Sequence, residues 1–149
     1  MIRFLQNLTS VNVDATKKAK VDIKRGMFVK VDEVKGEVDI AATIDEATGI
    51  AVRDVVVDED VANGLPVSDY SETQDTIKVG EFCGERKQFS GERFMTDQFV
   101  NTLVDGDVTP GKNLTVTNGK LDKIGTVTTI ISLGFRQDAG HKVLAYKIV

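Results

Sequence analysis

The sequence predicts an all-β fold, mainly an antiparallel barrel or sandwich, with one short helix near 96–104. Three observations carry that expectation. Short runs rich in Val, Ile and Thr recur about every 8–12 residues with turn residues between them. The run Leu114-Thr115-Val116-Thr117 is bracketed by Pro110-Gly111 and Asn118-Gly119. Asn and Gly tolerate positive φ, so Asn118-Gly119 can reverse the chain in two residues. Finally, aromatic residues are sparse: seven Phe, two Tyr and no Trp. The core therefore rests on Val, Ile and Leu, whose branched side chains favour a pleated surface.

Taken in order, residues 1–18 mix Ile2, Phe4, Leu5 and Leu8 with Asn, Thr and Ser, in neither a helical nor a strand rhythm. The segment reads as an N-terminal arm packing on a neighbouring subunit, or as a frayed terminus. Ile2, Phe4, Leu5 and Leu8 are its candidate subunit or capsid contacts. Residues 19–149 read as a single β-rich domain. Strands are expected around Gly26, where Met27, Val29 and Val31 alternate with Phe28, Lys30 and Asp32. Lys35-Gly36-Glu37 marks a turn, and Val38 to Ile44 and Gly49 to Val57 follow as strands. The unbroken Val55-Val56-Val57 suits a strand covered on both faces.

A long loop at 58–76, rich in Asp, Glu, Ser and Asn, interrupts the pattern. Loops of that length are usually functional or mobile. Ile77 to Cys83 reads as a strand, and Arg86 to Met95 as another with Gly91 as bulge or turn. Thr96 or Asp97 could cap a two-turn helix carrying Phe99, Val100, Leu103 and Val104 at helical spacing. The hairpin region follows, with a strand over Ile124 to Leu133 and a last strand ending at Val149. Glycine-led strands near Gly26 and Gly111, with Gly49 and Gly125 before the strands that follow, hint at an internal duplication, although the two spacings differ.

Composition narrows the function. The net charge of −4 and a pI near 5.0 do not advertise a phosphate-binding surface. Lys17, Lys18, Lys20, Lys24 and Arg25 lie close together, but they interleave with apolar residues and lack aromatic stacking partners. They read as a solvated face, so no nucleic-acid partner is expected. Cys83 is the sole cysteine, which precludes an intrachain disulfide. No apolar run approaches the ~20 residues that span a bilayer, and the first residues lack a secretory signal's apolar region. The chain is expected to be soluble, made in a cytoplasm, with no membrane partner.

Reaction chemistry finds little support. Any Ser–His–Asp or Cys–His system must use His141, the single histidine. Neither Ser90-Gly91 nor Cys83-Gly84 lies in a nucleophile-elbow pattern. One Cys and one His leave a zinc site dependent on carboxylates that lack the usual spacing. Asp58-Glu59-Asp60 and Asp105-Gly106-Asp107 are oxygen-rich, but without EF-hand spacing they read as turns. No phosphate-cradling glycine loop joins a strand to a helix. No catalytic, cofactor-binding or metal residue is assigned, and the chain is expected not to be an enzyme.

The segments Lys24-Arg25-Gly26-Met27-Phe28-Val29, Thr48-Gly49-Ile50-Ala51-Val52 and Thr109 to Gly125 give an acidic, Trp-free, glycine-led β texture. In this the chain resembles the capsid decoration (cement) and auxiliary head proteins of tailed bacteriophages. The resemblance implies a non-catalytic virion protein on the capsid surface, bound to the major capsid protein and often homotrimeric. A tail-tube or head–tail connector component is the alternative, and a small carboxylate-based hydrolase the second alternative.

Overall fold

A computed structural model describes residues 1–6, 13–53, 75–123 and 129–149, with backbone alone for 3–6. The expected strand at Val55-Val56-Val57, most of the loop at 58–76, Leu8 and the start of the Ile124 strand lie outside these residues. The described residues are mostly strands, and no helix reaches seven residues. Two main β-systems and a short two-stranded ladder, β3 with β7, form from these strands in chain order: β1 (Ile2–Gln6), β2 (Val13–Ala19), β3 (Ile23–Lys24), β4 (Phe28–Asp32), β5 (Glu37–Ile40), β6 (Gly49–Val52), β7 (Thr76–Ile77), β8 (Phe82–Arg86), β9 (Arg93–Thr96), β10 (Asn113–Thr117), β11 (Lys120–Lys123), β12 (Ile130–Asp138) and β13 (His141–Ile148). Strands β2-β5-β4-β6-β8 close a barrel, and a six-stranded sheet runs β1-β9-β13-β12-β10-β11. Antiparallel pairing dominates, with β2–β5 parallel.

One local device starts several of these strands. Lys24-Arg25-Gly26-Met27, Lys78-Val79-Gly80-Glu81, Phe89-Ser90-Gly91-Glu92 and Thr109-Pro110-Gly111-Lys112 each close by a hydrogen bond from the fourth N–H to the first carbonyl. The third residue is in every case a glycine with φ between 82° and 93°. Positive φ confined to that position defines a type II turn, which glycine adopts without a Cβ clash. Pro110 supplies the preferred residue before Gly111. The hairpins use a different device: Asn118 and Gly119 have φ of 47° and 74°, and Thr117 pairs with Lys120 across them. Ala139-Gly140 makes the same two-residue turn between β12 and β13.

The barrel has its own core of Ala19, Ile23, Met27, Val29, Val38, Ala51, Ile77 and Cys83. A larger cluster joins the two systems, with Phe28 and Ile50 of the barrel packed among Phe94, Leu114, Leu121, Leu144 and Tyr146 of the sheet. The Phe28 and Phe94 rings lie 6.1 and 5.4 Å from that of Tyr146. Backbone bonds pin the same joint. Gly119 N–H donates to Ala41 O (2.7 Å), Asn118 N–H to Ala42 O (3.0 Å) and Phe28 N–H to Gly119 O (2.8 Å).

Three sequence expectations change. Residues 97–104 form no helix. After β9 the chain crosses to the far edge of the sheet, where Phe99 bridges Leu121 and Leu121 N–H donates to Gln98 O. Phe99 and Val100 meet the helical spacing, yet their backbone is drawn into covering edge strand β11 and a 3₁₀ turn follows at Asp105–Asp107. Bridging an edge satisfies backbone groups that a two-turn helix would leave orphaned at its ends. In the supposed arm, β1 pairs with β9 and β2 with β8 and β5, so both are built into the sheets. The expected strand from Ile77 to Cys83 is split by the turn at Gly80 into β7 and β8.

Candidate interaction site

The expected contact residues are distributed unevenly. Ile2 is buried in the shared core, opposite Thr96, and so faces this chain's own interior. Phe4 lies opposite Phe94 and Leu5 falls at the register shift beside it, both in β1, one of the two edge strands of the sheet. Leu8 falls outside the described residues. The terminus is tied down by charge as well: the Met1 ammonium donates to Asp75 Oδ1 and Asp97 Oδ1, both at 2.6 Å, and to Arg25 O at 3.1 Å.

The reactive residue types sit apart. Cys83 is buried in the barrel, where burial, and then the charge of Glu85, pushes its thiol up to about 12. Such a thiol stays protonated and unreactive at neutral pH. His141 starts β13 on the other sheet, exposed at a hairpin tip. Asp105-Gly106-Asp107 is a turn in which Asp107 accepts from Val104 N–H, and Lys142 and Lys123 answer the two carboxylates at 3.2 and 3.5 Å. Among the described residues no cluster of three His, Cys, Asp or Glu is arranged to hold a metal. Asp58-Glu59-Asp60 lies outside them.

The lysines near the start of the barrel do not form a patch. Lys20 pairs with Asp39 (2.9 Å), and the Lys18 ammonium sits 5.6 Å from the Phe82 ring centre. Lys17 turns inward to Asp14 and, at 3.3 Å, to Glu33. The Asp14 carboxyl also accepts from the Thr16 N–H and hydroxyl. The Lys17 hydrogen bond, then those from Thr16, holds it far below the usual carboxylate range.

Buried charge also braces the joint. Arg86, 1% exposed, donates to Glu92, 0% exposed, at 2.8 Å and lies 4.9 Å from the Phe94 ring centre. Gln88 Nε2 donates to the Tyr146 hydroxyl at 2.9 Å. Nothing in the sequence pattern singled these out, because buried polar pairs leave no periodic signal.

The exposed large apolar residues cluster at turns. Val79 (62% exposed) lies in the turn at Gly80 and Phe82 (60%) just after it, Val34 tops the β4–β5 hairpin, and Val104 precedes the 3₁₀ turn. At the barrel mouth a cleft of about 410 Å³ is lined by Val13, Asp14, Glu33, Glu85 and Lys87. A second, of about 420 Å³, lies over the outer face of β4 and β5. There Lys20, Lys30 and Lys35 are matched by Asp39, Glu46 and Asp32.

No family model, curated protein or solved structure matches the chain.

Proposed function

We propose that the chain is a structural virion protein that binds the outside of an icosahedral phage capsid and stabilises it, a decoration or cement protein. One observation carries the reading: Val79, within the tight turn at Gly80, and Phe82, which starts barrel strand β8 just after it, both stand exposed. Exposed apolar side chains on an otherwise charged surface suit protein contact. The buried thiol and the solvated hairpin-tip histidine are consistent with a scaffold that works by contact. Binding to the assembled shell and not to free subunits would stabilise that shell by mass action. A symmetric trimer would repeat each weak contact and raise overall avidity.

The test mixes purified protein with undecorated tailed-phage capsids and measures bound protein by sedimentation. Saturable binding, weakened by Phe82→Asp, supports the reading; no binding at any concentration defeats it. The outermost position of β1 favours a second reading, a tail-tube or head–tail connector component that assembles by strand addition. Solution mass separates the two, a trimer or monomer for decoration and a six-fold ring for the tail.

A further inference from the structure

At the barrel mouth, charges that point inward are unequally matched. Glu85 shares its side of β8 with Cys83, a core residue, and pairs with Ala51, another. It is 4% exposed, and its Oε1 is buried with no hydrogen-bond partner among the described residues. Burying a carboxylate oxygen without a donor is costly, so a site like this favours a donor from outside. Neither nearby lysine serves: Lys17 is held by Asp14 and Glu33, and among the described residues neither it nor Lys87 makes an ion pair with Glu85. Asp14, directly across the ladder from Glu85, is itself saturated by Lys17 and Thr16. Glu85 thus lines the cleft as an acceptor with unused capacity.

The cleft's chemistry limits what can fill it. No three carboxylates here are arranged around a common metal position. A charged N–H donor is the stronger partner for such a carboxylate. Val13, exposed at the rim, offers an apolar surface for an aliphatic stem, and long basic side chains lay their stems along such surfaces. A cleft of about 410 Å³ has room for a guanidinium or ammonium head with that stem.

We propose that the barrel mouth binds a basic side chain of a partner protein, its guanidinium or ammonium donating to Glu85 and its stem crossing Val13. This rests on the reading of the chain as a binding protein and names the chemistry of one contact. Lys87 stands exposed at the rim and opposes the incoming charge, so the site selects for a donor that reaches past it.

The experiment titrates the full chain with N-acetyl-arginine methylamide and follows the Glu85 carboxyl carbon and the amides of 83–86 and 13–17 by NMR. Parallel titrations use spermidine and, as neutral control, N-acetyl-glutamine methylamide. The expected result is saturable movement of Glu85 with the arginine amide and none with the control. Glu85→Gln should weaken it roughly tenfold, the effect of removing a charged hydrogen-bond partner. Lys87→Glu, a change at an exposed site that leaves the fold intact, should tighten it severalfold. Absence of saturation, or equal affinity in all three proteins, overturns the proposal. Tighter binding of spermidine than of the arginine amide overturns a protein side chain as the source. If capsids bind while Glu85 ignores the arginine amide, this inference alone fails. If the amide binds and capsids do not, the proposed function alone fails.

Discussion

Gly119 allows a clean measurement of how firmly the sheet is locked to the barrel. A Cβ at this position would lie 2.8 Å from Ile40 Cγ2, 2.9 Å from Met27 Cε and 3.1 Å from Phe28 O. Its φ of 74° adds the strain of a left-handed residue. Gly140 has a matching φ of 84° but nothing within 4 Å of the added atom. Gly140→Ala therefore carries the backbone term alone, about 1–2 kcal/mol. Gly119→Ala carries that term plus overpacking of about 1–3 kcal/mol. The difference between the two variants isolates the joint, because the backbone cost cancels. In a chain of this size each kcal/mol shifts Tm by about 2–4 °C. Urea unfolding at 25 °C followed by circular dichroism gives both stabilities on one scale. Equal losses in the two variants would show that Ile40 and Met27 yield freely, and that the turn does not lock the two β-systems.

Other outcomes follow from the same geometry. Ala139 occupies a left-handed position with φ of 47°, so Ala139→Asn should raise stability by about 0.5–1 kcal/mol in the same urea assay. Asp75→Asn removes one of two carboxylates from the buried Met1 ammonium and should cost about 2 kcal/mol, with selective acetylation of that amine costing at least as much. Alkaline stability should depend on Cys83. Its folded value near 12 stands above an ordinary 9.0, so its contribution is fully present below pH 9 and is lost as pH rises from there toward 12. The slope reaches about 1.4 kcal/mol per pH unit. Tyr146, pushed up chiefly by burial from an ordinary 10.0, adds to the decline above pH 10. Unfolding midpoints from pH 8 to about 11 should fall less steeply in Cys83→Ala, and parallel curves would contradict this assignment.

What the sequence disclosed depended on whether a residue type states its own backbone need. Asn118-Gly119 and Pro110-Gly111 do so, and the structure holds them in the expected turns. Ala139-Gly140 makes the same reversal as Asn118-Gly119, but alanine does not announce a left-handed residue. Strand β2 is illegible because Val13-Asp14-Ala15-Thr16-Lys17-Lys18-Ala19 buries a charge and exposes an apolar residue: Lys17 is buried, while Val13 is exposed. In β8 the alternation is similarly erased, with Glu85 and Arg86 both buried and Phe82 exposed. Hydrophobic periodicity reports burial only where buried means apolar. For the same reason Glu85 is one acid among 23 in the sequence, and only the barrel sets it apart, by placing it at a cleft.

The turn at Asn118 carries a chemical liability along with its conformational advantage. Asparagine followed by glycine ages by attack of the glycine nitrogen on the side-chain amide carbon, which expels ammonia and closes a succinimide ring that water opens to aspartate or isoaspartate. Here that nitrogen is engaged, its N–H held 2.7 Å from the Ala41 carbonyl. The damage clock of this dipeptide therefore runs only when the loop lifts away, and the spontaneous conversion rate reads out how often that happens.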